Sequence, residues 1–182
     1  MNKTALRNIY KEKRKSLSEK EIHAFEKNIY EQIFDIDFSN IQNIHIFLSI
    51  KNQKEIDTYP IIDYLRSLNK TIIISKSNFS DNTLEHFIFD KNTTLEISKY
   101  GIPEPINAKK FEVKNIDLVF VPLLISDKQN YRVGYGKGFY DRFLSNCKKD
   151  IITIGLNFFE PITEITDSNN YDIPLNNIIF PI

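Results

Sequence analysis

Apolar residues recur along the 182-residue chain at spacings that are typical of helices in some segments and of strands in others. Helical spacing predicts one helix over residues 4–16 and another over residues 19–34, where Ser18 and Glu21 form a capping box. Short apolar or β-branched runs predict strands over residues 44–49, 71–75, 84–89, 116–122, 151–156 and 178–180. The pattern therefore indicates a mixture of helices and strands.

Two further helices are expected between strands. Thr58 can cap a helix that carries Ile61, Ile62 and Leu65, and a short helix covers residues 139–146. Strand, helix and strand in succession indicate right-handed βαβ units and a mostly parallel sheet, with 84–89 as an edge strand and 101–105 as a loop. A chain of this length supports one core, so we expect an α/β fold in a single domain over residues 1–182.

Composition narrows the class of partner. The formal net charge is zero and the isoelectric point is about 6.8, which argues against nucleic-acid or membrane binding driven by bulk charge. The chain starts without a secretory signal and contains no long apolar run, so a cytoplasmic protein is expected. One cysteine excludes an internal disulfide, and His23, His45 and His86 lack metal-site spacing.

The clearest candidate for chemistry is the stretch 131–144, called here the glycine loop. Three of the five glycines lie there within five residues, beside Arg132, Lys137 and Arg142. Glycines let backbone N–H groups approach a ligand, so the spacing indicates a nest for anionic oxygens, although glycines also mark ordinary turns. Nearby aromatic residues either pack or stack on a flat ligand. The spacing matches neither the P-loop nor the dinucleotide fingerprint.

Other charged residues have both a functional and a structural interpretation. Lys3, Arg7, Lys11 and Arg14 share an arc of about 80° on the first helix, which is either a solvated face or an arm that brings positive charge to a phosphate. Glu55 follows the first strand, as an exposed carboxylate or a substrate anchor at the carboxyl edge of the sheet.

Two aspartates are similarly ambiguous. Asp141 is either a first-turn carboxylate facing the helix dipole or a magnesium ligand, and Asp172 is either a turn residue or a second ligand. The positions of Asp141 and Asp172 in the sequence are compatible with both the structural and the magnesium-binding role.

Residues 127–142, Asp-Lys-Gln-Asn-Tyr-Arg-Val-Gly-Tyr-Gly-Lys-Gly-Phe-Tyr-Asp-Arg, closely resemble the signature of 5-formyltetrahydrofolate cyclo-ligases, also called methenyltetrahydrofolate synthetases. The resemblance extends over nearly the whole chain. It includes Lys3 to Arg7 with Arg14, the segments 47–49 and 55–58, the run Gly-Ile-Pro-Glu-Pro at 101–105, and Asp172.

The resemblance implies a ligase with an α/β three-layer sandwich, which converts 5-formyltetrahydrofolate, ATP and Mg²⁺ into 5,10-methenyltetrahydrofolate, ADP and phosphate. Residues implied to hold ATP are Lys3, Thr4, Ala5, Leu6, Arg7, Arg132, Val133, Gly134, Tyr135, Gly136, Lys137, Gly138, Phe139 and Tyr140. Residues implied to contact the folate are Arg7, Leu48, Glu55, Tyr135, Gly136, Lys137, Gly138 and Phe139. Asp141 and Asp172 would bind Mg²⁺, and Arg132, Lys137 and Tyr140 would act in catalysis.

We further expect a monomer whose partner is the small-molecule folate, with or without a polyglutamate tail. Arg132 and Lys137 are expected at the surface, so that their loss would reduce turnover more than folding. Two alternatives remain on fold alone: a non-catalytic sensor of phosphate ligands and a sugar-phosphate isomerase. An isomerase would need a base near the sugar and would not require ATP.

Overall fold

Four α-helices and ten β-strands make up the computed structural model, which describes residues 1–182. The helices are α1 (Lys3–Ser16), α2 (Glu19–Phe34), α3 (Tyr59–Ser67) and α4 (Phe139–Asn146). The strands are β1 (Asn43–His45), β2 (Thr71–Asn78), β3 (Thr83–Ile88), β4 (Thr94–Ile97), β5 (Pro103–Ile106), β6 (Leu118–Pro122), β7 (Ile125–Ser126), β8 (Arg132–Val133), β9 (Ile152–Leu156) and β10 (Asn177–Ile179). None of the helices is both long enough and apolar enough to cross a membrane.

Six strands form the central sheet in the order β10-β9-β6-β1-β2-β3. All neighbours pair in parallel except β2 and β3, which form an antiparallel hairpin at one edge. Two small antiparallel pairs, β4 with β5 and β7 with β8, lie outside this sheet. The predicted α/β class with a mostly parallel sheet is confirmed, and so is the edge position of β3.

Both faces of the sheet are covered by helices because its strands are apolar on both sides. Isoleucines of α2 and α3, including Ile29 and Ile61, pack against a face that contains Ile44 and Phe120. Phe143 and Leu144 of α4 pack against the opposite face. The predicted three-layer sandwich is therefore confirmed. Helix α1 packs elsewhere, through Leu6 and Tyr10 against the β7–β8 hairpin, in a separate apolar cluster.

Some local predictions were wrong for identifiable reasons. The segment predicted as a loop at 101–105 contributes strand β5, whose Pro103 and Pro105 pair with Ile97 and Leu95. A two-stranded hairpin has open edges, so it tolerates residues that cannot donate a backbone hydrogen bond.

The start of α3 also differs from the prediction. Thr58 occupies the N-cap position, but its hydroxyl donates to the Phe47 carbonyl at 2.7 Å instead of capping the helix. The carboxylate of Asp57 accepts from the Tyr59 N–H at 3.0 Å in its place.

Candidate active site

A cavity of about 500 Å³ opens at the carboxyl edge of the sheet, where ligands bind in open α/β folds. Helix α1, the segment between β1 and α3, the glycine loop and Asp172 all contribute to its wall. Twelve of the 28 lining residues are hydrophobic, and the charged ones converge from both ends of the chain. The cavity thus combines apolar walls with a few polar groups, as small-molecule sites generally do.

The β7–β8 hairpin positions the glycine loop. Asp127, in the turn of the hairpin, is 1% exposed, and its Oδ1 accepts from the N–H groups of Gln129 and Tyr131 at 3.0 Å. Its Oδ2 accepts from the Ile165 N–H, also at 3.0 Å. Asp127 is thus a structural residue that fixes the turn from which Arg132 enters the cavity.

Glycine is required at two positions of the loop. Gly136 and Gly138 have φ values of +92° and +70°, which side chains disfavour. A Cβ at Gly136 would lie 3.0 Å from Cζ of Arg7, and one at Gly138 would lie 2.8 Å from Nη1 of Arg142. The loop therefore allows two guanidinium groups to approach its backbone closely.

The cationic stripe of α1 faces this loop. Lys3 forms an ion pair with Asp172, and Nε of Arg7 donates to the Gly134 carbonyl at 3.0 Å. Further along the helix, Lys11 Nζ lies 5.5 Å from the centre of the Tyr135 ring, which also receives a hydrogen bond on its hydroxyl from Arg14. The stripe is therefore part of the cavity wall and its surroundings, and the solvated-face interpretation is wrong.

Arg132 is buried, contrary to the prediction of a surface position. Its side chain is 6% exposed, and it donates to Oδ1 of Asp141 at 2.7 Å and to the Ile173 carbonyl at 2.6 Å. These contacts link the glycine loop, the first turn of α4 and the segment that leads to β10. Arg132 accordingly supports the site's structure as well as lining the cavity.

Asp141 and Asp172 each retain a carboxylate oxygen that accepts no hydrogen bond from the chain. Asp141 uses Oδ1 to accept from Arg132 and, at 3.2 Å, from the Ile173 N–H. Asp172 uses Oδ2 to accept from Lys3 and, at 2.7 Å, from the Asn169 N–H. No group of three or more His, Cys, Asp or Glu side chains forms a metal cluster. Two carboxylates at the cavity do fit Mg²⁺, which in nucleotide sites takes one or two protein carboxylates and completes its shell with water and phosphate.

Glu55 lies in the cavity wall with both oxygens engaged. Oε1 accepts from the Tyr135 hydroxyl at 2.5 Å, and Oε2 accepts from the Ile50 N–H at 2.7 Å. Burial raises the pKa of Glu55, while these two hydrogen bonds and the charge of Arg14 lower it. Burial and the neighbouring Glu55 charge raise the pKa of Tyr135, so that its hydroxyl stays protonated and donates.

Most of the residues implied by the resemblance meet at this cavity. The lining includes Lys3, Arg7, Leu48, Glu55, each residue from Arg132 to Asp141, and Asp172. Thr4, Ala5 and Leu6 do not line it, and Leu6 is 2% exposed in the core. Arg142 also lies outside, where Nη1 donates to the Lys137 carbonyl at 2.9 Å and braces the loop.

Several residues that line the cavity were not predicted from the sequence as site residues. His45 Nε2 lies 2.7 Å from Oγ of Ser75, which lies 3.0 Å from Nδ1 of His86, and the first two of these residues line the cavity. Phe79 and Tyr100 also line it, with ring centroids 3.9 Å apart. Tyr100 directly precedes the run at 101–105, which was a usable signal, whereas the others sit in ordinary strand or turn patterns.

Comparison with known proteins identifies the family of this chain. The model of the 5-formyltetrahydrofolate cyclo-ligase family matches residues 1–181. A Haemophilus influenzae protein named 5-formyltetrahydrofolate cyclo-ligase is 29% identical over 175 residues, covering 91% of this chain and 90% of the relative. A Mycoplasma genitalium protein of the same name is 29% identical over 188 residues, covering 98% of each chain. The solved structure of Aquifex aeolicus 5,10-methenyltetrahydrofolate synthetase shares the fold, with a TM-score of 0.83 at 24% identity over 100% of this chain and 90% of that one. The chain therefore belongs to the 5-formyltetrahydrofolate cyclo-ligase family, a family of ligases.

Proposed function

We propose that this protein uses ATP and Mg²⁺ to cyclise 5-formyltetrahydrofolate to 5,10-methenyltetrahydrofolate, with release of ADP and phosphate. The observation that carries the proposal is the meeting of three features in one cavity: the glycine loop with its cations, two carboxylates that each keep an open oxygen, and Glu55, which accepts a hydrogen bond from Tyr135 of that loop. Family membership supports the same reaction.

The chemistry needs activation of a poor electrophile. The N5-formyl group is amide-like, so its carbon resists attack by N10 and its oxygen is a poor leaving group. In the proposed sequence the formyl oxygen takes the γ-phosphoryl group from ATP, giving an iminium phosphate and ADP. N10 then attacks the formyl carbon and loses its proton, and departure of phosphate with the former formyl oxygen completes the methenyl bridge.

Where ATP is proposed to bind, the protein supplies positive charge, and the nucleophile is the formyl oxygen of the substrate rather than a side chain. Lys137 is exposed and its ammonium has no partner in the chain, so it is free to meet a phosphate. Arg7 and Lys3 extend the positive surface from α1, and Arg132 adds a buried charge within the glycine loop. Phosphoryl transfer depends mainly on such positioning and charge stabilisation.

Asp141 and Asp172 would hold Mg²⁺ through their open oxygens. A bound Mg²⁺ would neutralise phosphate charge and orient the transferring group. Both carboxylates already face cations of the chain, Arg132 and Lys3, so the site balances charge before any ligand arrives. This balance explains how two acidic groups can lie beside a phosphate nest.

On the folate side, Glu55 would accept hydrogen bonds from the donor edge of the pterin. Tyr140 also lines the cavity, and burial together with the charge of Glu55 raises its pKa, so that it stays a phenol. A protonated phenol can donate to an oxygen on which negative charge develops. We propose this role for Tyr140, with Leu48 and Phe139 as apolar contacts for the folate.

Family membership favours this ligase reaction over the sensor and isomerase alternatives.

In the proposed reaction the formyl oxygen of the substrate leaves with the released phosphate. With 5-formyltetrahydrofolate labelled with ¹⁸O at the formyl oxygen, the released phosphate should contain the label in a one-to-one ratio with methenyltetrahydrofolate. Unlabelled phosphate alongside product formation would contradict phosphoryl activation, and absence of the product would contradict the proposed function.

A further inference from the structure

We propose that Arg14 is a positioning residue for folate binding, because its guanidinium orients the Tyr135 hydroxyl and, through it, the carboxylate of Glu55. This inference rests on the proposed function, in which Glu55 contacts the folate. Arg14 itself does not line the main cavity. Its effect on the substrate must therefore pass through the two residues that do.

The burial of Arg14 requires an explanation. Arg14 lies in the last turn of α1, is 5% exposed and forms no ion pair with a carboxylate. A buried guanidinium is costly unless a partner compensates its charge. The phenol of Tyr135 supplies an acceptor oxygen but no charge, and the negative charge lies one step further, on Glu55. Arg14 and Glu55 thus form an ion pair bridged by Tyr135.

The donor and acceptor of each hydrogen bond between Arg14, Tyr135 and Glu55 follow from the groups involved. Arginine can only donate, so the Tyr135 oxygen accepts from Arg14 and its proton remains available for Oε1 of Glu55. The Arg14 guanidinium also lies over the Tyr135 ring, with its Cζ 5.6 Å from the ring centre, so that it contacts the ring as well as the hydroxyl. Without Arg14, the hydroxyl could rotate or turn its proton elsewhere.

A second contact ties the Glu55 segment to the same end of α1. Lys54 has a φ of +47°, and its ammonium donates to the carbonyls of Lys15 and Leu17 at 2.7 Å. The backbone before Glu55 is therefore anchored independently of its carboxylate. Loss of Arg14 should disturb the carboxylate while the segment stays in place.

The charged surroundings of Glu55 determine the expected direction of the effect. Arg14 from α1, Tyr135 from the glycine loop, Tyr140 from α4 and the Ile50 N–H face or act on this carboxylate. Burial raises the pKa of Glu55, and Tyr135, Ile50 and Arg14 oppose that rise. Removing Arg14 should raise this pKa further, so that Glu55 stays protonated up to a higher pH than in the wild type.

The test compares Arg14→Met and Tyr135→Phe with the wild type. Both should shift the acid limb of the folate KM profile to higher pH, by about one unit, which raises KM up to about tenfold at the acid end. The KM for ATP of Arg14→Met should change little, because Arg14 does not line the cavity. The double variant should shift the profile by less than the sum of the two single shifts, since both substitutions interrupt the same series of hydrogen bonds from Arg14 to Glu55. Arg14→Lys should restore part of the effect.

Arg66→Met is the matched control, because Arg66 is a partly buried arginine on α3 that donates to the Phe89 carbonyl and lies outside the cavity. It should lower thermal stability without shifting the pH profile. The inference is overturned if Arg14→Met behaves like Arg66→Met, or if the shifts of the two single variants add fully. Should Arg14→Met fail to fold, Arg14→Lys and Tyr135→Phe decide the question by the same criteria.

A titration of Glu55 by NMR, with ¹³C at glutamate carboxylates and Glu55→Gln for assignment, separates this inference from the proposed function. A higher midpoint in Arg14→Met supports the coupling even if no methenyltetrahydrofolate is formed, in which case the proposed function alone fails. An unchanged midpoint in an active enzyme overturns the role of Arg14 and leaves the proposed function intact.

Discussion

Arg132 and Asp141 form an ion pair in the cavity wall, with 2.7 Å between Nη2 and Oδ1 and only 6% of the arginine side chain exposed. The pair joins a residue proposed to stabilise phosphate with one proposed to hold Mg²⁺. Because Arg132 also donates to the Ile173 carbonyl, the glycine loop and the segment before β10 share one anchor.

Replacing Arg132 should therefore impair folding as well as turnover. Arg132→Met leaves a partly buried carboxylate without its partner, and we expect a loss of about 3 kcal/mol in the free energy of unfolding. Denaturant titration measures this loss. The double variant with Asp141→Asn should be less destabilised than the sum of the single variants. Full additivity would show that the pair does not act as a unit.

Lys137→Ala should affect turnover with little change in stability. The side chain is exposed and unpaired, so the free energy of unfolding should change by less than about 0.5 kcal/mol. If Lys137 stabilises the transferring phosphoryl group, kcat should fall by about 100-fold or more. Lys128→Ala, at an exposed site in the β7–β8 turn, is the matched control and should retain normal kcat. Normal cyclisation by Lys137→Ala would remove this residue from the mechanism.

Glu55→Gln should weaken folate binding and change how the stability of the fold depends on pH. Loss of a charged acceptor should raise the folate KM by about tenfold or more. Since burial raises the pKa of Glu55, this carboxyl stabilises the fold below the unfolded pKa and costs stability once ionised at higher pH. The variant should thus lose this pH dependence, while it also leaves the buried Arg14 without its counter-charge; thermal melting at several pH values measures the dependence. Glu112→Gln, at an exposed position, controls for loss of charge, and an unchanged KM would exclude Glu55 from the site.

The two buried histidines should make the protein sensitive to acid. Burial lowers the pKa of His86 to about 4, and the pKa of His45 lies well below its usual value for the same reason. Both are neutral in the fold, so the stability they contribute is present above pH 6.5 and is lost as the unfolded chain takes up protons at lower pH.

For His86 alone this loss should be about 2 kcal/mol between pH 7 and pH 5. His86→Gln should remove that part of the pH dependence in urea titrations, while His23→Gln, at an exposed site on α2, should not. Equal slopes for His86→Gln and the wild type would contradict the assigned protonation state.

Local sequence signals located much of the framework. The capping box at Ser18 and Glu21 gave the start of α2, and the passage from the glycine loop into apolar positions gave α4. Both depend on residues a few positions apart. Strand β5 was missed because its prolines indicate a loop locally, and only the pairing with β4 compensates for them.

The sequence predicts which residues form the site better than it predicts how those residues are arranged. A helical wheel puts Lys3, Arg7 and Arg14 on one face of α1, but it does not show that the glycine loop, more than 100 residues later, covers that face. The burial of Arg132 depends on the Ile173 carbonyl, which is 41 residues away and has no sequence signature. Long-range partners of this kind are determined by tertiary packing.

The proposed function is an ATP- and Mg²⁺-dependent cyclisation in this cavity. The most direct measurement follows the absorbance of methenyltetrahydrofolate after purified protein is mixed with 5-formyltetrahydrofolate, with ATP and Mg²⁺ each omitted in turn. If the proposed function is correct, the enzyme forms the product when ATP and Mg²⁺ are both present and forms none when either is left out. Product formation without ATP, or no product in the complete mixture, would contradict it.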